Sequence, residues 1–192
     1  MSLRLLAIVG LLSTACGGGT DIRDKSGSAS LDAGSTEAAA ADVEPVYDAS
    51  GHLARPRGWQ QWVFLGASLN LNYSASAPPA SDVLSNVFME PSAYRHFQEH
   101  GEFREGTMTV LAAYTAGTAV PPAQGGLFAT DLVAFEMSVK DKSRHAEGWA
   151  YYSFGNGAAA WATAAPPQSC FDCHDSHAET DHVFTQFYPA LP

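Results

Sequence analysis

"GLFATDLVAFEMSVKD", residues 126–141, is the stretch that decides the fold class. Counted in twos, Leu127, Val133, Phe135, Met137 and Val139 fall on one face, while Leu132, Ala134, Glu136 and Ser138 fall on the other. Apolar residues recurring at every second position mark a strand, because successive side chains leave opposite sides of the pleat. Three more segments read the same way. "TMTVLAAY" (107–114) is β-rich and flanked by Gly106 and Gly117; "GWAYYSFG" (148–155) is bounded by glycines; "GWQQWVFLGAS" (58–68) is the fourth. Strands joined by short turns, without a long crossover between each, predict an antiparallel sheet. Helices are expected at "PSAYRHFQEHG" (91–101), which opens with Pro91 and closes at Gly101, and at "DSHAETDHVFTQFY" (175–188). The expected class is α+β, a mainly antiparallel β-sheet with a few helices.

The chain has a second level of organisation at its start. Residues 1–15 carry Arg4 and then an apolar run from Leu5 to Leu12, followed by small residues. This is the pattern of a secretory signal peptide, too short to span a bilayer. Cys16, followed by "GGGT", resembles a bacterial lipoprotein processing box in which the cysteine becomes the acylated N-terminus. An ordinary signal peptide cleaved nearby is the alternative. Residues 16–44 are mostly small and polar and predict a disordered, lipidated linker, since they bury too little surface to offset chain entropy. Residues 45–192 then form one domain. A formal net charge of -10 argues against nucleic acid and anionic membrane surfaces as partners, and suits a basic redox partner protein.

"CFDCH", residues 170–174, carries the chemistry. Two cysteines separated by two residues with a histidine directly behind is the spacing of covalent c-type haem attachment. Cys170 and Cys173 would form thioethers, and His174 would be the proximal iron ligand. A disulfide within "CFDC" and a structural cysteine pair are competing readings. So is a zinc site using Cys170, Cys173, His177 and His182, although its three-residue gap from the second cysteine to the first histidine is short of the roughly 12–15 of finger-type sites. One motif means one haem, near the C-terminus. His52, His96, His100, His145, His177 and His182 read as surface histidines, and Met89, Met108 and Met137 are the internal candidates for a sixth ligand.

Together these segments resemble the cytochrome P-460 family, which includes the β-sheet cytochromes called cytochrome c′-beta. The resemblance runs through "RGWQQWVFLGASLN" (57–70), "MEPSAYRHFQEHGEFREGT" (89–107), "VKD" (139–141), "WAYYSFG" (149–155), "CFDCH" and "DHVFTQFYPAL" (181–191). It implies an antiparallel sheet, frequently in a homodimer, with one five-coordinate haem c and a hydrophobic or carboxylate-containing distal pocket. It also implies one of two chemistries. Members with a lysine cross-linked to the macrocycle oxidise hydroxylamine; the c′-beta relatives lack that bond and bind small gases such as nitric oxide.

Leu111 aligns with the cross-linking lysine, and no lysine occurs between Lys25 and Lys140. Glu136 matches a family carboxylate over the open side of the haem, a candidate base with a pKa raised by desolvation; a solvated strand residue is the alternative. Phe128, Phe135, Trp149 and Tyr151 are candidates to cap the pocket. Three functions follow in order: a haem protein binding a small diatomic or nitrogenous ligand; an oxidoreductase acting on hydroxylamine, another small nitrogen compound or peroxide; and a membrane-tethered electron carrier. Whether the protein is an enzyme is left open. The expected location is the bacterial cell envelope after export, lipid-anchored, periplasmic or outer-membrane associated.

Overall fold

A computed structural model describes residues 42–73 and 82–191. The segments expected to be a signal peptide and a linker, with the expected lipidation site Cys16, lie outside the described residues except for residues 42–44. Five strands make the central sheet: β2 (Val63–Leu69), β3 (Val83–Met89), β4 (Met108–Gly117), β5 (Phe128–Lys140) and β6 (Trp149–Ser153). They lie in the order β2-β3-β4-β5-β6, each antiparallel to the next. β1 (Leu53–Ala54) and β7 (Trp161–Ala162) form a separate two-stranded ribbon. Helix α1 (Pro91–His100) connects β3 to β4, and α2 (Phe171–His177) follows β7. The fold is α+β, mainly antiparallel sheet.

Both faces of the sheet are covered, which sets where a site can form. On one face Val110, Phe135, Met137, Val139 and Tyr152 pack beneath Trp59, Trp62 and Leu53. On the other, Leu65, Val87, Met89, Trp149 and Tyr151 pack with Ala93 and Phe97 of α1, Phe103, Val183 and Leu191.

The strongest alternation places the strand correctly but not all of its residues. Phe135, Met137 and Val139 are buried as their phase demands. Val133 is not; it is 42 % exposed. The β4–β5 register steps from Ala113↔Ala134 to Tyr114↔Leu132, so Val133 is the extra residue of a β-bulge. Leu132 packs against the core in its place. Leu127 lies just ahead of the strand and is exposed as well.

Two segments depart from expectation at their ends. Residues 58–68 begin with one 3₁₀ turn, Trp59–Gln61, set up by Gly58 in the left-handed region, and extend only from Val63. The turn puts Trp59 and Trp62 into the same core. β3 has no counterpart among the predicted strands. Ser85 and Asn86 interrupt its apolar run, and its first four residues are half-buried on both faces, so the alternation is blunted.

Helix α1 agrees with its caps. Pro91 opens it, Glu90 accepts from the Ser92 and Ala93 amides at 2.9 and 2.8 Å, and Gly101 closes it at φ 71°. Glu90 is fully buried and tied to Arg104 at 3.2 Å. The second helix is a correction. It is not at 175–188 but spans Phe171–His177, within the cysteine motif itself. Beyond it the chain reverses at Asp181 and His182, both at positive φ, and makes only one 3₁₀ turn at Thr185–Phe187. Apolar spacing in 183–188 serves packing of the reversed chain rather than a helix face.

Candidate haem site

Cys170 caps the start of α2, and Cys173 and His174 follow three and four positions later. Positions i, i+3 and i+4 share one side of a helix, so the three residues of the motif lie on that side; Cys170 and His174 line the cavity beside it, and Cys173 does not. The two cysteines are not bridged to each other, and both are partly buried. Among the described residues no three or more His, Cys, Asp or Glu side chains are grouped to hold a metal ion, so the zinc arrangement is not assembled.

His174 is oriented from two sides. Its ring lies 4.3 Å from that of Tyr151 and 4.4 Å from that of Phe184. Its Nδ1 is 2.7 Å from the His182 carbonyl oxygen. A carbonyl only accepts, so Nδ1 carries the proton and Nε2 keeps its lone pair. Burial depresses the imidazole pKa, against the opposing pull of the His182 carbonyl, and so favours the neutral ring. A neutral imidazole with Nδ1–H anchored to backbone is the form in which histidine binds a metal through Nε2.

The cavity beside His174 has a volume of about 120 Å³ and a floor made by the sheet. Cross-strand pairing builds that floor in rows. Val87 pairs with Leu111, Leu111 with Glu136, and Glu136 with Ser153; one row along, Thr109 pairs with Ser138 and Ser138 with Tyr151. All of these line the cavity, with Cys170, Ala165 and Tyr188 at its sides. The Thr109 and Ser138 hydroxyls bond to each other at 2.5 Å, so both are satisfied within a cavity whose lining surface is mostly apolar.

Glu136 is exposed to the cavity, and burial by its surroundings raises its carboxyl pKa. Among the described residues it has no hydrogen-bond or ion-pair partner.

Several sequence candidates lie elsewhere. Of the four aromatic residues considered as caps, only Tyr151 lines the cavity. Phe135 is buried in the core of the opposite face, Phe128 is exposed at the far end of the β4–β5 hairpin, and Trp149 bonds to Asp181. Met89, Met108 and Met137 are all core residues, 3 % exposed or less; Met137 touches the cavity edge but packs into the opposite-face cluster. Among the described residues His174 is the only histidine lining the cavity, and no lysine lines it. Lys140 instead donates to the Phe103 carbonyl at 2.6 Å and to Asp181 at 2.7 Å. Thr109, Ser138, Ser153, Ala165 and Tyr188 were not legible as site residues, since nothing in their local sequence marks strand register or a distant contact.

These features fit a haem held through paired thiols and one imidazole: a gathered C-x-x-C-H face, a neutral histidine with a free Nε2, and an adjoining apolar cavity. A family model described as cytochrome P460 matches residues 56–185, more than half of the chain. A search of curated proteins finds no match.

Proposed function

Because the chain belongs to the cytochrome P460 family and is thus a haem- and iron-binding cytochrome, we propose that it is an exported monohaem c-type cytochrome with a pentacoordinate iron open to a small ligand of the nitric oxide type. In this reading Cys170 and Cys173 form the thioethers and His174 Nε2 holds the iron. Haem bound there supplies an iron centre for a diatomic or small nitrogenous ligand. The observation that carries the reading is the single imidazole: His174 is the only histidine at the cavity among the described residues, and the candidate methionines are packed in the core. The same observation disfavours a six-coordinate electron carrier. Leu111 on the floor, with no lysine lining the cavity among the described residues, supports a haem free of a cross-link. Export, a lipid anchor at Cys16, a periplasmic or outer-membrane location and a redox partner protein belong to the same proposal and rest on the sequence.

A second reading is favoured by Glu136. An unpartnered carboxyl with a raised pKa is suited to accept a proton from an N–H or O–H group of a bound substrate. That reading makes the protein an oxidoreductase for hydroxylamine, another small nitrogen compound or peroxide.

Attachment is tested by denaturing electrophoresis with haem staining of the wild type and of a Cys170→Ser, Cys173→Ser double variant. The stain should travel with the wild-type polypeptide alone. Haem retained on the denatured double variant would refute the thioether assignment.

A further inference from the structure

We propose that Lys140, acting through Asp181, is a positioning residue that fixes the hydrogen bond on the Nδ1 of His174. The inference rests on the reading that His174 holds the haem iron.

Lys140 and Trp149 are register partners at one end of the β5–β6 pair. Lys140 Nζ donates to Asp181 Oδ2 at 2.7 Å, and Trp149 Nε1 donates to Asp181 Oδ1 at 3.2 Å. Both carboxylate oxygens are thereby held by this end of the β5–β6 pair. Lys140 is itself held, because its Nζ also donates to the Phe103 carbonyl at 2.6 Å, and its side chain is only 10 % exposed.

What this clamp fixes is an uncommon backbone. Asp181 and the next residue, His182, lie at φ 44° and 62°, in the left-handed region that non-glycine residues rarely occupy. Two such residues in succession need surrounding contacts to hold them. The result of the turn is that the His182 carbonyl accepts from two groups at once, His174 Nδ1 at 2.7 Å and the Tyr151 hydroxyl at 3.2 Å. An ion pair is weak evidence for stability in its own right, and this one, with Asp181 34 % exposed, matters for the geometry it fixes. Here the geometry ends on the imidazole. A hydrogen bond accepted from Nδ1–H strengthens Nε2 as a donor to a metal, so the clamp sets the electron density delivered through His174.

The test uses the haem-loaded protein and reads two properties that general loosening does not reproduce: the midpoint potential and the iron–histidine stretching frequency of the reduced form. Asp181→Asn should raise the potential and lower the stretching frequency. Trp149→Phe, which removes one of the clamp's bonds, should move both in the same direction by less, and it decides the matter if Asp181→Asn fails to fold. Glu90→Gln perturbs a different carboxylate pair, the buried one with Arg104 at α1, and should lower the melting temperature while leaving both readouts unchanged. Unchanged readouts in Asp181→Asn and Trp149→Phe, or equal shifts in Glu90→Gln, would overturn the inference while leaving haem ligation by His174 intact. A wild-type protein without a histidine-ligated iron would overturn the ligation reading, and the inference with it.

Discussion

Leu111 on β4 stands directly opposite Glu136 on β5, and both line the cavity beside His174. A leucine in this place leaves the carboxyl without a charged neighbour across the pair. That is why burial alone sets the direction of the Glu136 pKa.

Leu111→Lys should reverse this. A cation at the cross-strand position favours the ionised carboxylate, so the Glu136 pKa should fall. Side-chain carboxyl chemical shifts followed across pH give the answer. A titration of Glu136 identical to that of the wild type would show that the two side chains do not meet.

Glu136→Gln tests the same carboxyl through stability. The folded-state pKa is raised above the unfolded one, so the folded protein binds the proton more tightly. Relative to the glutamine variant, the wild type should therefore lose stability as pH rises from the ordinary carboxylate range through the raised value. The variant should melt higher than wild type at neutral pH, with the difference vanishing in acid. An equal difference at both pH values would mean that ionisation is not the cause.

The bulge at Val133 makes a paired prediction. Phe135→Ala removes a fully buried ring between Trp59 and Phe154 and should cost about 3–5 kcal/mol in urea denaturation. Val133→Ala, two residues away, should fall within about 0.5 kcal/mol of wild type because that side chain is exposed. Equal losses would contradict the register of the β4–β5 pair.

Gly66→Ala tests how the C-terminal segment closes over β2. An added Cβ would lie 3.1 Å from the Pro189 ring and 3.2 Å from the Phe187 carbonyl oxygen. The segment is tied down beside it by the Ala190 amide to Leu65 O at 3.2 Å and the Tyr94 hydroxyl to Ala190 O at 2.9 Å. The substitution should cost about 1–3 kcal/mol, typical of overpacking, and speed proteolysis near the C-terminus. Unchanged proteolysis would mean that the segment yields without strain.

How much of this was legible in the sequence depends on how local the cause is. β5 was legible because Phe135, Met137 and Val139 repeat the strand period against one core. α1 was legible because Pro91 and Gly101 mark its ends. The cysteine motif carried its own spacing. β3 was missed because neither face of it is cleanly apolar. The helix expected at 175–188 failed for a tertiary reason: Lys140 and Trp149 hold Asp181 in a reversal that local periodicity does not encode. The partner of His174 Nδ1 was likewise hidden, since a backbone carbonyl has no residue type to recognise.

The most direct test of the open-site haem c reading is the optical spectrum of the haem-loaded protein, oxidised and reduced, before and after nitric oxide, with an alkaline pyridine assay on the same sample. The account predicts an ordinary c-type haemochrome, a high-spin reduced spectrum and a large change on nitric oxide binding. A low-spin reduced spectrum indifferent to nitric oxide would contradict it by demanding a sixth ligand, and a strongly red-shifted reduced Soret band would contradict it by demanding a modified haem despite Leu111.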